Sequence, residues 1–219
     1  MKIYTGQTSG DTLKQVIGLD MGIMISSSPS SLPSKEIAKT YCALDNGAFT
    51  CYRKGYPFME DVFLKTIQDA YKKNIALDFI VTPDIIEGGE ESLSFSRIWS
   101  QNQLATAPRL ALVLQDGMKF SGLGSLKRFT HLFVGGSVDW KWKTADEWVK
   151  VARGEGKQIH IGQCGKFEYL MRAHELQVDS VDSTSFVVNQ SFHIVQRFYD
   201  AIGKKNERNQ LYLFGEVVS

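Results

Sequence analysis

No run of about 18 apolar residues occurs in the chain, so no membrane-spanning helix is expected. The opening Met1-Lys2-Ile3-Tyr4-Thr5-Gly6 enters a strand-like pattern without an apolar signal core, and a cytoplasmic location is the expectation. Cysteine is scarce. Cys42, Cys51 and Cys164 are scattered and odd in number, which argues against a disulfide framework and provides no metal-ligand spacing. His131, His160, His174 and His193 add no ligand spacing, so neither a metal nor a cofactor is expected. His160 lies inside a strand-like run and reads as a satisfied core histidine or else as a support for the site, and none of the four is assigned a catalytic role. Charge of one sign is not in excess: 25 Lys and Arg against 24 Asp and Glu leave a net charge of +1. Bulk electrostatics therefore neither calls for a nucleic-acid partner nor excludes one. Low-complexity tracts and blocks of like charge are also missing, and 219 residues suffice for one sizeable core but are short for two. The expectation is one folded domain over residues 1–219.

What is present is an alternation of elements. Strand-like runs fall at Lys2–Thr5, Gly22–Ser26, Tyr41–Asp45, Asp78–Pro83, Leu110–Gln115, His131–Gly135, Gln158–Gly162 and Ser180–Thr184. Between several of them the spacing becomes helical. Phe58, Val62, Phe63, Ile67, Ala70 and Tyr71 share one face; Phe167, Leu170, Met171 and His174 share another; Val188, Phe192, Val195, Tyr199 and Ile202 form a third. Thr144-Ala145-Asp146-Glu147 has the form of a capping box and predicts a helix starting near Thr144. Runs such as Phe79-Ile80-Val81 and Leu112-Val113-Leu114 lack polar alternation, as parallel strands covered on both faces do. An open doubly wound sheet would read alike locally, but about eight units favour an α/β fold of the (β/α)8 TIM-type barrel class. The serine-rich Ser26–Ser34, with Pro29 and Pro33, reads as a loop, either a lid or a connector.

Barrel active sites lie at the C-terminal ends of the strands, so the residues ending each apolar run matter. They are polar: Asp45-Asn46-Gly47, Asp84, Gln115-Asp116-Gly117, Gly135-Gly136-Ser137, Gln163, and Asp179 with Asp182. Taken singly, each suits a turn or a helix cap. Together they place carboxylates and amides on one rim, where like charges raise each other's pKa. Asp179 and Asp182 are three apart and point to opposite faces of a strand, which makes Asp182 the inward candidate. Two carboxylates at one anomeric carbon suit glycosyl chemistry, one as nucleophile and one handling a proton. An Asp, Gln and glycine-amide set suits the edge of a purine.

With these residues assembled, the chain resembles the tRNA-guanine transglycosylase superfamily, in particular the small DNA-guanine transglycosylases of phages and bacteria that insert 7-deazaguanines. Ala43-Leu44-Asp45-Asn46-Gly47-Ala48-Phe49 looks like the family's Asp-Ser-Gly-Gly-aromatic motif, which implies proton transfer by Asp45. Phe79-Ile80-Val81-Thr82-Pro83-Asp84 resembles the strand delivering a base-recognising aspartate, and Leu112-Val113-Leu114-Gln115 the segment delivering a base-contacting glutamine. Phe133-Val134-Gly135-Gly136 is similar to a Gly-Gly-Leu stretch lying against the base carbonyl. Val178-Asp179-Ser180-Val181-Asp182-Ser183 resembles the motif bearing the nucleophile, which falls on Asp182. Ser183-Thr184-Ser185-Phe186 stands where the tRNA enzymes have Pro-Thr-Arg, Ala48 replaces a glycine, and no Cys/His zinc subdomain is read. The resemblance therefore implies DNA rather than tRNA as the polymer.

The implied reaction replaces guanine in DNA by a 7-deazaguanine such as preQ0 through a covalent Asp182 intermediate, without cofactor. Asp84, Gln115, Gly135, Gly136, Asn46 and Gly47 would hold the base and Phe49 would stack on it. The enzyme would work in the cytoplasm, that of the host if a phage encodes it, as a monomer or homo-oligomer. Lys141 and Lys143, interleaved with Trp140 and Trp142, are expected to grip the nucleic-acid backbone or else to be solvated lysines of a loop leading into a helix. Two alternatives stay open: an N-glycoside hydrolase using the same carboxylates, and an inactive barrel that binds nucleic acid.

Overall fold

A computed structural model of the chain describes residues 1–29 and 33–203. In chain order the elements are β1 (Lys2–Gly6), α1 (Gly10–Gly18), β2 (Gly22–Ser26), β3 (Cys42–Asp45), α2 (Ala48–Arg53), α3 (Glu60–Lys72), β4 (Leu77–Val81) and α4 (Gly89–Gln101). They continue with β5 (Leu110–Leu114), β6 (His131–Val134), α5 (Val138–Gly154), β7 (Gln158–Ile161), α6 (Phe167–Glu175), β8 (Ser180–Ser183), α7 (Ser185–Val188) and α8 (Phe192–Ala201). The strands pair in sequence order, all parallel, and β8 returns to β1 to close the barrel. The fold is a (β/α)8 barrel in one compact domain. Each of the eight expected strands is present, displaced by no more than two residues at either end. Residues 30–32 of the serine-rich segment, and the C-terminal end of the expected 1–219 domain, lie outside the described residues.

Two connections depart from strict alternation. Among the described residues the β2–β3 connection holds a 3-10 turn, Lys35–Lys39, and no α-helix, and the β5–β6 connection another, Phe120–Gly122. The helix expected from Thr144 begins instead at Val138, with Ser137 as N-cap accepting from the Trp140 amide. Thr144 lies inside α5 and its hydroxyl donates back to the Trp140 carbonyl at 2.8 Å. Its capping-box pattern therefore caps nothing. The real N-terminus is fixed from another strand: Asp116, just past β5, accepts from the Ser137 amide (2.7 Å) and hydroxyl (2.6 Å). These bonds outweigh partial burial and hold the Asp116 carboxyl below its ordinary range.

Side chains alternate across each strand and so build two cores. The outer one lies between the sheet and the helices and includes Ile3, Ile23, Leu44, Leu112, Val134 and Ile161 against Phe63, Trp99, Trp148 and Phe198. Burial of each such side chain contributes about 1.5–3 kcal/mol before entropy is set against it. The inner one fills the barrel with Tyr4, Met24, Ala43, Phe79, Val81, Ala111 and Val113, flanked by Tyr41 and Phe133. At the barrel's N-terminal mouth Asp78 accepts from the Tyr4 hydroxyl (2.6 Å) and from Lys2 (2.7 Å). A cavity of about 200 Å³ opens there, lined by Lys2, Asp78, Arg109, His131 and Asp179 among others, at the end opposite the carboxylate rim. All three cysteines are free and buried, and no helix among the described residues is long and apolar enough to cross a membrane.

Candidate active site

The C-terminal ends of β3, β4, β5 and β8 deliver Asp45, Asp84, Gln115 and Asp182 to one rim. Asn46, fully buried, ties two of these strands together. Its amide nitrogen donates to the Thr82 carbonyl and to Asp84 Oδ1, each at 2.7 Å, while its Oδ1 accepts from the Ala48 amide at 2.7 Å. Both amide hydrogens are thus committed, so Asn46 acts on the rim by holding Asp84. Gly47 is left-handed (φ 80°), and a Cβ there would stand 2.6 Å from the Ser27 carbonyl oxygen, which no side chain tolerates. The turn lets the Gly47 amide donate back to Asp45 Oδ2 at 3.1 Å. Phe49, in the first turn of α2, is 46% exposed.

Electrostatics separates these carboxylates. Burial, with the like charges of Asp182 and Asp84, pushes the Asp45 carboxyl up from 3.8 to about 7, although the Gly47 and Asn46 amides pull the other way. Burial also raises Asp84 to about 6 in spite of hydrogen bonds from Asn46 and Gln115. Asp45 therefore exchanges a proton near neutral pH. Gln115 directs its amide nitrogen to Asp84 Oδ2, in a short contact, and to Ser92 Oγ at 3.4 Å. Its carbonyl Oε1 is buried with no hydrogen-bond partner among the described residues. An orphaned buried acceptor costs on the order of 1–3 kcal/mol, which a donor on a bound ligand would recover.

Gly135 and Gly136 form the turn after β6. A Cβ on Gly136 (φ 69°) would come within 2.4 Å of Asp116 Oδ2 and 2.9 Å of the Trp140 ring, so only glycine lets the chain enter α5 here. Asp182, with its side chain 15% exposed, accepts from His160 Nε2 through Oδ1 at 2.9 Å. His160 Nδ1 lies 2.8 Å from Ser180 Oγ. Of the two readings of His160 the structure shows both at once, a fully buried ring that is also hydrogen-bonded to Asp182. Asp182 is preferred over Asp179 as anticipated, but position along the chain contributes more than alternation. Asp179 precedes β8 and sits toward the other mouth, accepting from the Ile159 amide (2.7 Å) and from Arg153 (2.8 Å). Among the described residues no group of three or more His, Cys, Asp or Glu is placed to hold a metal ion.

The expected nucleic-acid contact at Lys141 is corrected. The Trp140–Lys143 stretch is the first part of α5 rather than a loop, and Lys141 points inward, 1% exposed, donating to the Gly162 carbonyl at 2.6 Å. Its ammonium feels the charges of Asp182 and Asp116 and has no surface to offer a phosphate. Lys143 is exposed. Trp142 stacks on Tyr169 with ring centroids 5.1 Å apart, so the aromatics pack α5 on α6.

No protein-family model and no curated sequence matches the chain. Its structure is similar to a monomeric dihydrodipicolinate synthase variant (12% identity, TM-score 0.52, covering 99% of this chain and 82% of that one). It is also similar to a structure described as the tryptophan synthase α2β2 complex of Pyrococcus furiosus (12%, 0.52, covering 95% and 97%). A third likeness is to dihydrodipicolinate synthase from Bacillus clausii (10%, 0.53, covering 96% and 84%). At such identities the likeness shows the fold alone: this chain is similar to these proteins in being a (β/α)8 barrel.

Proposed function

We propose that the protein is an enzyme, a base-exchange pentosyltransferase that replaces guanine in DNA with a 7-deazaguanine. The observation that carries this reading is the division of labour among the rim carboxylates. Asp182 is held by His160, while Asp45 exchanges its proton near pH 7. In the first half-reaction Asp182 Oδ2 attacks C1′ of the target nucleotide, the C1′–N9 bond breaks, and Asp45 protonates the departing guanine. In the second, N9 of the incoming base attacks C1′, the ester C–O bond breaks, and the Asp45 carboxylate takes the N9 proton. Proton and bond counts close without a cofactor.

Base recognition is supported by the buried cluster of Asp84, Gln115 and Asn46. Asp84 and the orphaned Gln115 Oε1 supply acceptors for the N–H donors of a guanine edge, and Gly135 and Gly136 permit close approach of the chain. The target nucleotide has to leave the base stack, or the DNA has to be single-stranded, for C1′ to reach Asp182.

The test incubates the protein with an oligodeoxynucleotide and radiolabelled guanine. Label is expected to enter the polymer, and Asp182→Asn is expected to lower the rate by about 10³-fold or more, as loss of a covalent nucleophile does. A protein–DNA adduct that survives denaturing electrophoresis should also depend on Asp182. Undiminished exchange in Asp182→Asn would refute the assignment, and release of base without incorporation would identify a hydrolase.

A further inference from the structure

We propose that His160 is a positioning residue for Asp182, which leaves Oδ2 as the attacking oxygen, and that Ser180 selects the His160 tautomer this requires. The proposal rests on the reading of Asp182 as nucleophile. It starts from register. In the β7–β8 ladder His160 pairs with Ser180, and Asp182, two residues further on, faces the same barrel interior one layer nearer the rim. The imidazole therefore lies beneath the carboxylate.

With Asp182 ionised and His160 singly protonated, the hydrogen-bond chain has one consistent set of directions. An ionised carboxylate oxygen only accepts, so the 2.9 Å contact with Asp182 Oδ1 places a proton on His160 Nε2. In a neutral imidazole Nδ1 is then the acceptor, and the Ser180 hydroxyl donates to it across 2.8 Å. The ring has little freedom to leave this line. His160 is fully buried, with the rings of Phe133, Phe79 and Tyr4 centred 4.4, 5.3 and 5.9 Å away. Gly162 leaves room for the arrangement, because a Cβ there would meet the Phe133 ring at 2.9 Å and Asp182 Oδ1 at 3.3 Å.

Among the described residues nothing donates a hydrogen bond to Asp182 Oδ2, so the bond to Oδ1 orients the carboxylate and leaves Oδ2 available to attack. Once the ester forms through Oδ2, Oδ1 becomes its carbonyl oxygen and still accepts from Nε2. That bond polarises the ester and assists departure of the carboxylate in the second half-reaction. The imidazole keeps its proton throughout.

The experiment compares His160→Phe, which keeps a ring in the cage without a donor, and His160→Gln, which restores an N–H near the Nε2 position, in the full-length chain. With folding checked by circular dichroism, His160→Phe is expected to lower kcat for guanine exchange by about 100-fold with KM changed less than about threefold, and His160→Gln to recover about tenfold of that loss. A folded His160→Phe with kcat within about threefold of the parent, or a His160→Gln no faster than His160→Phe, would overturn the proposal. A second measurement needs no turnover: a long-range ¹H–¹⁵N correlation spectrum should show His160 as the Nε2–H tautomer, and the Nδ1–H tautomer would overturn the proposal. If the parent protein exchanges no base while the Nε2–H tautomer is found, the functional reading has failed and the local geometry has not.

Discussion

Asp45 holds its proton to about pH 7 in the folded protein, against an ordinary carboxyl value of 3.8. Between those values the native state binds more protons than the unfolded chain, so this residue's contribution to stability falls as pH rises through the window. Asp45→Asn removes the charge that burial, Asp182 and Asp84 oppose. It is expected to stabilise the fold by about 1–3 kcal/mol at pH 8 and to give no gain at pH 4, measured by urea unfolding at both values. An equal gain at the two pH values would refute the electrostatic account. His131 works in the opposite direction. Burial, with His160 beside it, lowers its pKa from 6.5 to about 4, so its contribution is present above pH 6.5 and is lost on acidification. At this scale Asp45, Asp84, Gln115 and Asp182 were legible as polar residues ending apolar runs. His160 was legible as a buried histidine that could support the site, but not as Asp182's partner, which depends on which residue of β7 lies beside Ser180.

Among the elements, α5 gives the clearest test of how helix starts are chosen. Thr144-Ala145-Asp146-Glu147 has the letters of a cap, yet the chain is already helical at Val138 because Asp116, at the end of the neighbouring strand β5, secures the Ser137 amide and hydroxyl. Ser137→Ala is therefore expected to cost about 1–2 kcal/mol, and Thr144→Ala less than about 0.5 kcal/mol, by chemical denaturation. The reverse order would restore Thr144 as the cap. The earlier start also explains Lys141, since it places that residue in the first turn of α5, with its side chain toward Gly162 instead of solvent. Helices α3, α6 and α8 were readable because their apolar faces repeat at helical spacing, although Val188, expected on the face of α8, ends the separate α7 and is exposed. The 3-10 turns after β2 and β5 were not readable, because a five-residue or three-residue turn, burying Ile37 or followed by the buried Leu123, leaves no periodic signal long enough to see.

For the whole molecule, closure is the property on which the rest depends. β1 is hydrogen-bonded to β2 on one side and to β8 on the other, with Tyr4 opposite Asp182. Deleting residues 1–6 would expose the edges of β2 and β8 together, and the product is expected to be insoluble or to lose its cooperative thermal transition, as sedimentation and circular dichroism would show. A soluble, cooperatively folded deletion variant would mean that the strands hold without closure. The sequence by itself determined the strand count, the parallel character of the sheet and the polar ends of the strands. Those properties follow from residue type and local period, which every segment carries in its own letters. Tertiary structure decided between the closed barrel and the open sheet by pairing β8 with β1, set His160 against Asp182 and started α5 from Asp116. It likewise raised the Asp45 pKa to about 7. Each of these depends on register and burial, which join residues far apart in the chain and exist only once the barrel has closed.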